Sequence, residues 1–242
     1  MQSFIEWVGY EFTRTFIRDN RWSIFATGLK NTLIITVAAT LIGIVIGTVV
    51  AVVHNFASDE DIISQKSPVS WLLVALDKLL TFYVSVMRGT PLAIQLTIMA
   101  FIVMAGYPNK IVVCILAFGV NSGAYVSEVI RGGIGAVEKG QMEAGRSLGM
   151  NRIKVMRLIV LPQAMANILP ALCNEGIAVL KETAIIGLIS VVDLTRASDL
   201  VRSRTLSPYF PLISVAIVYY ILVAGLSALV KRLEKRMARS KA

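Results

Sequence analysis

Gly140-Gln141-Met142-Glu143-Ala144-Gly145-Arg146-Ser147-Leu148-Gly149 is a polar stretch set between long apolar runs. Reversing a chain between two membrane helices takes only a few residues. A connector with enough chain for two helical turns of its own implies something outside the bilayer that holds it. Its ends are written locally: Gly140 can open the helix, and Gly149 suits the left-handed residue at which helices commonly stop. Ala144 and Leu148 stand four apart and share a side with Gly145, a slim apolar ridge that fits a groove, flanked by the polar Glu143 and Arg146. The alternative is a solvated loop with incidental helicity.

Outward from this hinge the chain is oily. Hydrophobic residues make up 56% of the 242 and charged ones 16%, and the mean hydropathy is +0.71, outside the range of an ordinary soluble domain. The runs 31–53, 89–109, 111–127, 158–174 and 206–230 contain no charged side chain. With roughly 20 residues needed per crossing, they predict an all-α integral membrane protein of about five transmembrane helices. The formal net charge of +9 does not point to nucleic acid, because the basic residues flank apolar runs and no basic domain with interleaved aromatics is present. They orient the chain instead. Segments 54–91, 131–157 and 231–242 hold 15 of the 24 Lys and Arg, which places them in the cytoplasm, with the N-terminus outside. The tail, 232–242, then meets anionic lipid. Residues 1–22, with Glu6, Glu11, Arg14, Arg18 and Asp19, lack the basic start and apolar stretch of a cleavable signal and read as an amphipathic lead-in outside the membrane. A bundle over 23–231, with its hinge loop at 131–157, follows.

Within the bundle, Gly43 and Gly47 either allow close approach of another helix or reflect the frequency of glycine in membrane helices. Ser58-Asp59-Glu60-Asp61 and Ser67-Pro68 mark a polar loop. Trp71 to Met87 leads into Arg88-Gly89-Thr90-Pro91, where the helix should break before continuing through Gln95. Cys114 and Cys173 read as small core residues. A polar route across a bilayer needs polar groups at depth. Gln95 is one candidate; Asn121, Ser122, Tyr125 and Glu128 form another set, as a path or as interhelical glue. Asn174 and Glu175 lie near mid-span, Glu175 facing water or a cation, or braced by Lys181 or Arg88. Lys181, Glu182 and Thr183 follow where a helix break can expose backbone groups. Asp193, Arg196, Asp199 and Arg202 are expected in an outer loop that can meet a soluble protein.

The hinge, with Leu161-Pro162-Gln163-Ala164 after it, resembles the EAA loop of membrane subunits of ATP-binding-cassette importers: a Glu-Ala-Ala triplet, then a glycine, then an apolar-Pro pair. Gly145 stands where the second alanine is usual, and a glycine weakens a helix by about 1 kcal/mol. Arg88-Gly89-Thr90-Pro91-Leu92, Asn121-Ser122-Gly123-Ala124-Tyr125, Gly140-Gln141-Met142-Glu143-Ala144 and Leu180-Lys181-Glu182-Thr183 occur in the order seen in polar amino-acid importer permeases, the histidine, glutamine, glutamate and arginine group. Glu182 and Ala184 depart from that group's more usual Lys-Asp-Thr-Ser. The resemblance implies a type I ABC importer permease fold in a bacterial inner membrane and a coupling helix built on Gln141, Glu143, Ala144, Gly145, Arg146, Leu148 and Gly149. It implies a gate near Lys181, Glu182 and Thr183. As partners it implies an ATPase dimer that binds ATP and Mg, a second permease chain, identical or related, and an extracytoplasmic amino-acid-binding protein. The sequence carries no Gly-x-x-x-x-Gly-Lys-[Ser/Thr] loop and a single histidine, His54, so no cofactor is expected in this chain. An opine or other small polar metabolite is the alternative cargo. A membrane scaffold or channel is the alternative class; an enzyme using Glu128, Glu175 or Glu182 lacks a nucleophile-base pair.

Overall fold

A computed structural model of the chain describes residues 3–58, 64 and 67–239, and these are helical with short turns between the helices. Asp59, Glu60 and Asp61 of the polar loop and residues 240–242 of the tail lie outside the described residues. Five helices are long and apolar enough to cross a membrane: Trp22–Ala57, Pro68–Gly89, Lys110–Gly135, Arg152–Ile189 and Phe210–Met237, hereafter the first to fifth spans. At 1.5 Å per residue the first span is roughly 54 Å long, well beyond a hydrocarbon core of about 30 Å.

The second span differs from the expected 89–109. The break falls where Gly89-Thr90-Pro91 places it: Thr90 is extended (φ −121°, ψ 147°) and a new helix starts at Leu92. The membrane-length piece is the one before the break, and Leu92–Val103 is a shorter apolar helix. Counting charge-free runs excluded Asp77, Lys78 and Arg88. Asp77, however, is met by His54 of the first span (Nδ1 to Oδ1, 2.9 Å) and Arg88 by Glu128 of the third (3.2 Å), so charge at those positions is partnered.

Glycine sets the packing of the first span on the third. A Cβ at Gly43 would sit 2.7 Å from the Ser122 side chain and one at Gly47 2.5 Å from Val126; from the other side, Gly119 and Gly123 meet Ile42 and Ile46 at 2.7 Å. The four-residue spacing in the first span is thus a close-approach surface. Around it lies a core of Ile35, Ala39, Leu96, Val113, Phe118 and Val179, with Cys114 buried among them and Cys173 half-buried.

A second core joins Phe25, Leu194, Ala197, Val201 and Val215, fixing helix Leu194–Thr205 between the first and fifth spans. Asp193, expected on an exposed loop, is instead fully buried. It caps this helix, accepting from the backbone N–H groups of Thr195 (2.9 Å) and Arg196 (3.0 Å). Burial pushes its carboxyl above the ordinary aspartate range, and those two N–H bonds pull it partly back. Gly28 makes room for it, since a Cβ there would lie 2.6 Å from the Asp193 carbonyl oxygen.

Gly47→Leu should destabilise the bundle by roughly 1–3 kcal/mol or more, because neither Val126 nor the facing Gly123 backbone can retreat. Gly225→Leu, where nothing lies within 4 Å of the added Cβ, is the control, and thermal melting of the two purified variants reads the difference.

Candidate functional site

The hinge forms helix Lys139–Ser147, one residue earlier than Gly140 would start it. It stops as expected: Gly149 is left-handed at φ +79°, and the N–H groups of Leu148 and Met150 donate to the carbonyls of Ala144 (3.2 Å) and Gly145 (3.2 Å). Gly145 is not on the exposed ridge. It faces inward, where a Cβ would stand 2.7 Å from Val155 and 3.2 Å from Ile159, so the missing methyl lets the hinge helix lie flat on the first turns of the fourth span. Glu143, Ala144, Arg146 and Leu148 are exposed, Leu148 at 82%. An apolar side chain held that far into solvent beyond the end of a short helix is a contact in search of a groove.

From this helix the geometry leads into the fourth span. Gln163 Nε2 donates to Gln141 Oε1 at 3.3 Å, beside a cavity of about 320 Å³ whose lining includes Glu138, Gln141, Gln163 and Asn167. Gln163, Asn167, Asn174 and Lys181 are all exposed and recur at intervals of four, seven and seven residues, which keeps them on one side of the helix. A row of amides ending in an ammonium along a membrane-length helix is tolerated only against protein or water. Gln163 and Asn167 were not among the expected path residues. Their spacing from Asn174, at intervals of four and seven residues along one helix face, was the available signal.

The other candidates divide by what they touch. Asn121, buried in the third span, donates to Gln95 Oε1 (2.8 Å) and to the Met87 carbonyl (3.3 Å). Gln95 in turn donates to Met87 O (2.8 Å) and Thr90 Oγ1 (2.8 Å). The two side chains satisfy backbone carbonyls freed by the helix break. Tyr125 lies under the Arg88 guanidinium, 5.8 Å from ring centroid to Cζ, and Glu128 joins Arg88 to Arg131 (3.2 and 2.7 Å). Tyr83 donates to the Val120 carbonyl at 2.5 Å. Together these polar contacts seat the second span, in which only Ser70 is buried. Glu175 is half-buried and accepts from Ser122 Oγ at 3.1 Å, rather than pairing with Lys181 or Arg88. Lys181 and Glu182 are exposed, whereas Thr183 is buried and donates to the Leu180 carbonyl (2.7 Å). The fourth span tightens into a 3-10 turn over Thr183–Ile189.

Residues 71–239 match the family described as binding-protein-dependent transport system inner membrane component. A putative glutamine transport system permease protein of Rickettsia prowazekii (strain Madrid E) is 39% identical over 214 residues, covering 87% of this chain and 91% of that one. The arginine transport system permease protein of Bacillus subtilis (strain 168) is 37% identical over 213 residues, covering 87% and 90%. Among solved structures, a chain of an amino acid ABC transporter crystallised with histidines superposes with a TM-score of 0.79 at 34% identity, covering 98% of this chain and 99% of that one. A methionine ABC transporter chain at 19% identity shares the fold, with a TM-score of 0.71 over 90% of this chain and 98% of its own.

Gly145→Ala should lower thermal stability, and Val155→Ala should cost stability on its own by leaving a cavity. The double variant should lose less than the sum, with a coupling of roughly 0.5–3 kcal/mol. Additive losses in a double-mutant melting cycle would contradict the contact.

Proposed function

The chain belongs to the family of binding-protein-dependent transport system inner membrane components, and on that premise we infer that it is the membrane subunit of an ATP-binding-cassette importer carrying a polar amino acid into the cytoplasm. Its place is the bacterial inner membrane. The excess of Lys and Arg supports an orientation with the hinge helix and tail, 232–242, in the cytoplasm, and with the N-terminal lead-in and helix Leu194–Thr205 on the opposite side. The names carried by its glutamine and arginine permease relatives support the substrate class.

The observation that carries this reading is the exposed polar face of the fourth span, which runs from Lys181 through Asn174 and Asn167 to Gln163 and there meets the hinge helix at Gln141. Left bare, that face would stand in lipid. A second permease bundle, a copy or a related chain, covers it and encloses a wet path between the two. A substrate from an extracytoplasmic binding protein enters at the end marked by Lys181 and Glu182, whose opposite charges suit a zwitterion's carboxylate and ammonium. Glu175, nearly two turns deeper, offers a further carboxylate.

Chemical work is done elsewhere. A pair of ATPase subunits binds ATP and Mg and receives the Ala144 and Leu148 side of the hinge helix in a groove. Because Gly145 lies tight on Val155 and Ile159, a push on the hinge helix moves the fourth span as one body. Closure of the ATPases therefore rocks the two polar faces relative to each other, alternating access from side to side.

In liposomes the complete complex with its binding protein should take up amino acid in an ATP-dependent way, and this chain alone should be silent. Leu148→Glu should cut uptake roughly tenfold or more without loss of folded permease, since an unpaired carboxylate in an apolar groove costs several kcal/mol. Uptake without the ATPase, or crosslinks from Ala144 and Leu148 that never reach a nucleotide-hydrolysing subunit, would overturn the reading.

A further inference from the structure

The N-terminal helix Phe4–Phe12 has three faces with three different chemistries. Its start is closed by a capping box, in which Ser3 Oγ accepts from Glu6 N–H (3.3 Å) and Glu6 Oε2 accepts from Ser3 N–H (3.0 Å). The face toward the bundle carries Glu11, only 6% exposed, which accepts from Ser207 Oγ at 2.6 Å and pairs with Arg14 at 3.4 Å. Arg14 also donates to the Thr205 carbonyl, and Arg21 donates to the Arg14 carbonyl at 2.6 Å. The lead-in is thereby clipped to the end of helix Leu194–Thr205. A second face carries Phe4, Ile5, Val8 and Phe12, spaced so that they share an arc of about 100°. Phe4 is 77% exposed and Ile5 81%. The remaining side, with Glu6, Gly9, Tyr10 and Thr13, is exposed as well.

The apolar face is continuous with the surfaces of two membrane spans. Phe12 packs on Phe16 (ring centroids 5.1 Å apart) and Phe16 on Phe25 (4.9 Å), which lies in the first turn of the first span. Trp7 stands edge-on to Phe210, the first residue of the fifth span, at 6.1 Å. Phe4, Ile5 and Phe12 are therefore held near the starts of both spans; Phe4 stacks on Trp7 (ring centroids 6.0 Å apart), and Trp22 and Tyr209, at those same span starts, are exposed aromatics of the kind that favour the headgroup region. A helix with one apolar arc, one polar arc and a fixed level at the mouth of the membrane has the physical form of an in-plane interfacial helix.

We propose that helix Phe4–Phe12 lies along the bilayer surface, with Phe4, Ile5, Val8 and Phe12 in the boundary between acyl chains and headgroups and Glu6 and Thr13 in water. This places the lead-in within the interface rather than clear of the membrane. Through the Glu11–Ser207 and Arg14–Thr205 contacts, it ties the level of helix Leu194–Thr205 to the membrane surface. The occupant of the apolar arc is lipid.

The test uses the full chain with Cys114 and Cys173 replaced by alanine, in the reconstituted complex, with single spin labels introduced by Ile5→Cys, Val8→Cys, Phe12→Cys, Glu6→Cys and Thr13→Cys. Dissolved oxygen partitions into lipid and a nickel chelate stays in water. The logarithm of the oxygen to nickel accessibility ratio should be positive at positions 5, 8 and 12 and change sign at 6 and 13. High nickel accessibility at all five positions would mean a helix free in water, and protection from both reagents at 5, 8 and 12 would mean a protein cover; either overturns the proposal. Uptake by the same preparations is read separately, so a non-transporting complex is not mistaken for an unanchored helix.

Discussion

Inside a bilayer, lipid tails are as apolar as leucine, so helices are held together by close packing and by hydrogen bonds rather than by release of water. The contact of Gly43 and Gly47 with the third span is where this protein meets that requirement. It brings the two backbones together over about two turns of each helix, and the third span then becomes the post from which the rest hangs. Asn121 and Tyr125 on it seat the second span, Ser122 reaches Glu175 on the fourth, and its end at Gly135 delivers the chain to the hinge helix. A displacement of the third span would move both the polar seam and the hinge.

Much of this was legible in the sequence because it is local. The stop at Gly149 and the break at Thr90-Pro91 follow from backbone chemistry that no tertiary contact overrides, and both are found where the residues place them. The five-span architecture follows from length and hydropathy. The bounds of the second span were lost because Asp77 and Arg88 look forbidding in a run of letters, while their partners, His54 and Glu128, lie 23 and 40 residues away. Asp193 failed in the opposite sense. As a letter it suggests an exposed loop, yet a carboxylate immediately before a helix is also a cap, and burial of the cap depended on Gly28, 165 residues earlier.

Gly145 shows how a departure from a familiar pattern can be compensated. Read along the helix, it is a loss of roughly 1 kcal/mol of propensity. Across the helix it is a fit, because an alanine methyl would have no place beside Val155. A residue with no side chain on the hinge helix and a branched one beneath it fit together at the contact. Such a fit cannot be seen from either residue alone, and it favours rigidity of the joint between hinge and span over stability of the isolated hinge helix.

The division between brace and path follows from the same accounting of polar groups. In a membrane protein an amide or a charge must be satisfied, so its partner reveals its role. Gln95, Asn121 and Ser122 are spent on carbonyls, on each other and on Glu175. Removing Gln95 or Asn121 takes a partner from the other, and removing Ser122 takes the hydroxyl donor from the half-buried Glu175. Asn167, Asn174 and Lys181 hold no hydrogen bond or ion pair among the described residues, and they share the face that Gln163 carries to the hinge. Groups left unsatisfied in a single bundle are those whose partners arrive from elsewhere, as water, cargo or a second chain. A fold that saturates one set and leaves the other open, on adjacent helices, has separated what holds the bundle together from what faces its cargo.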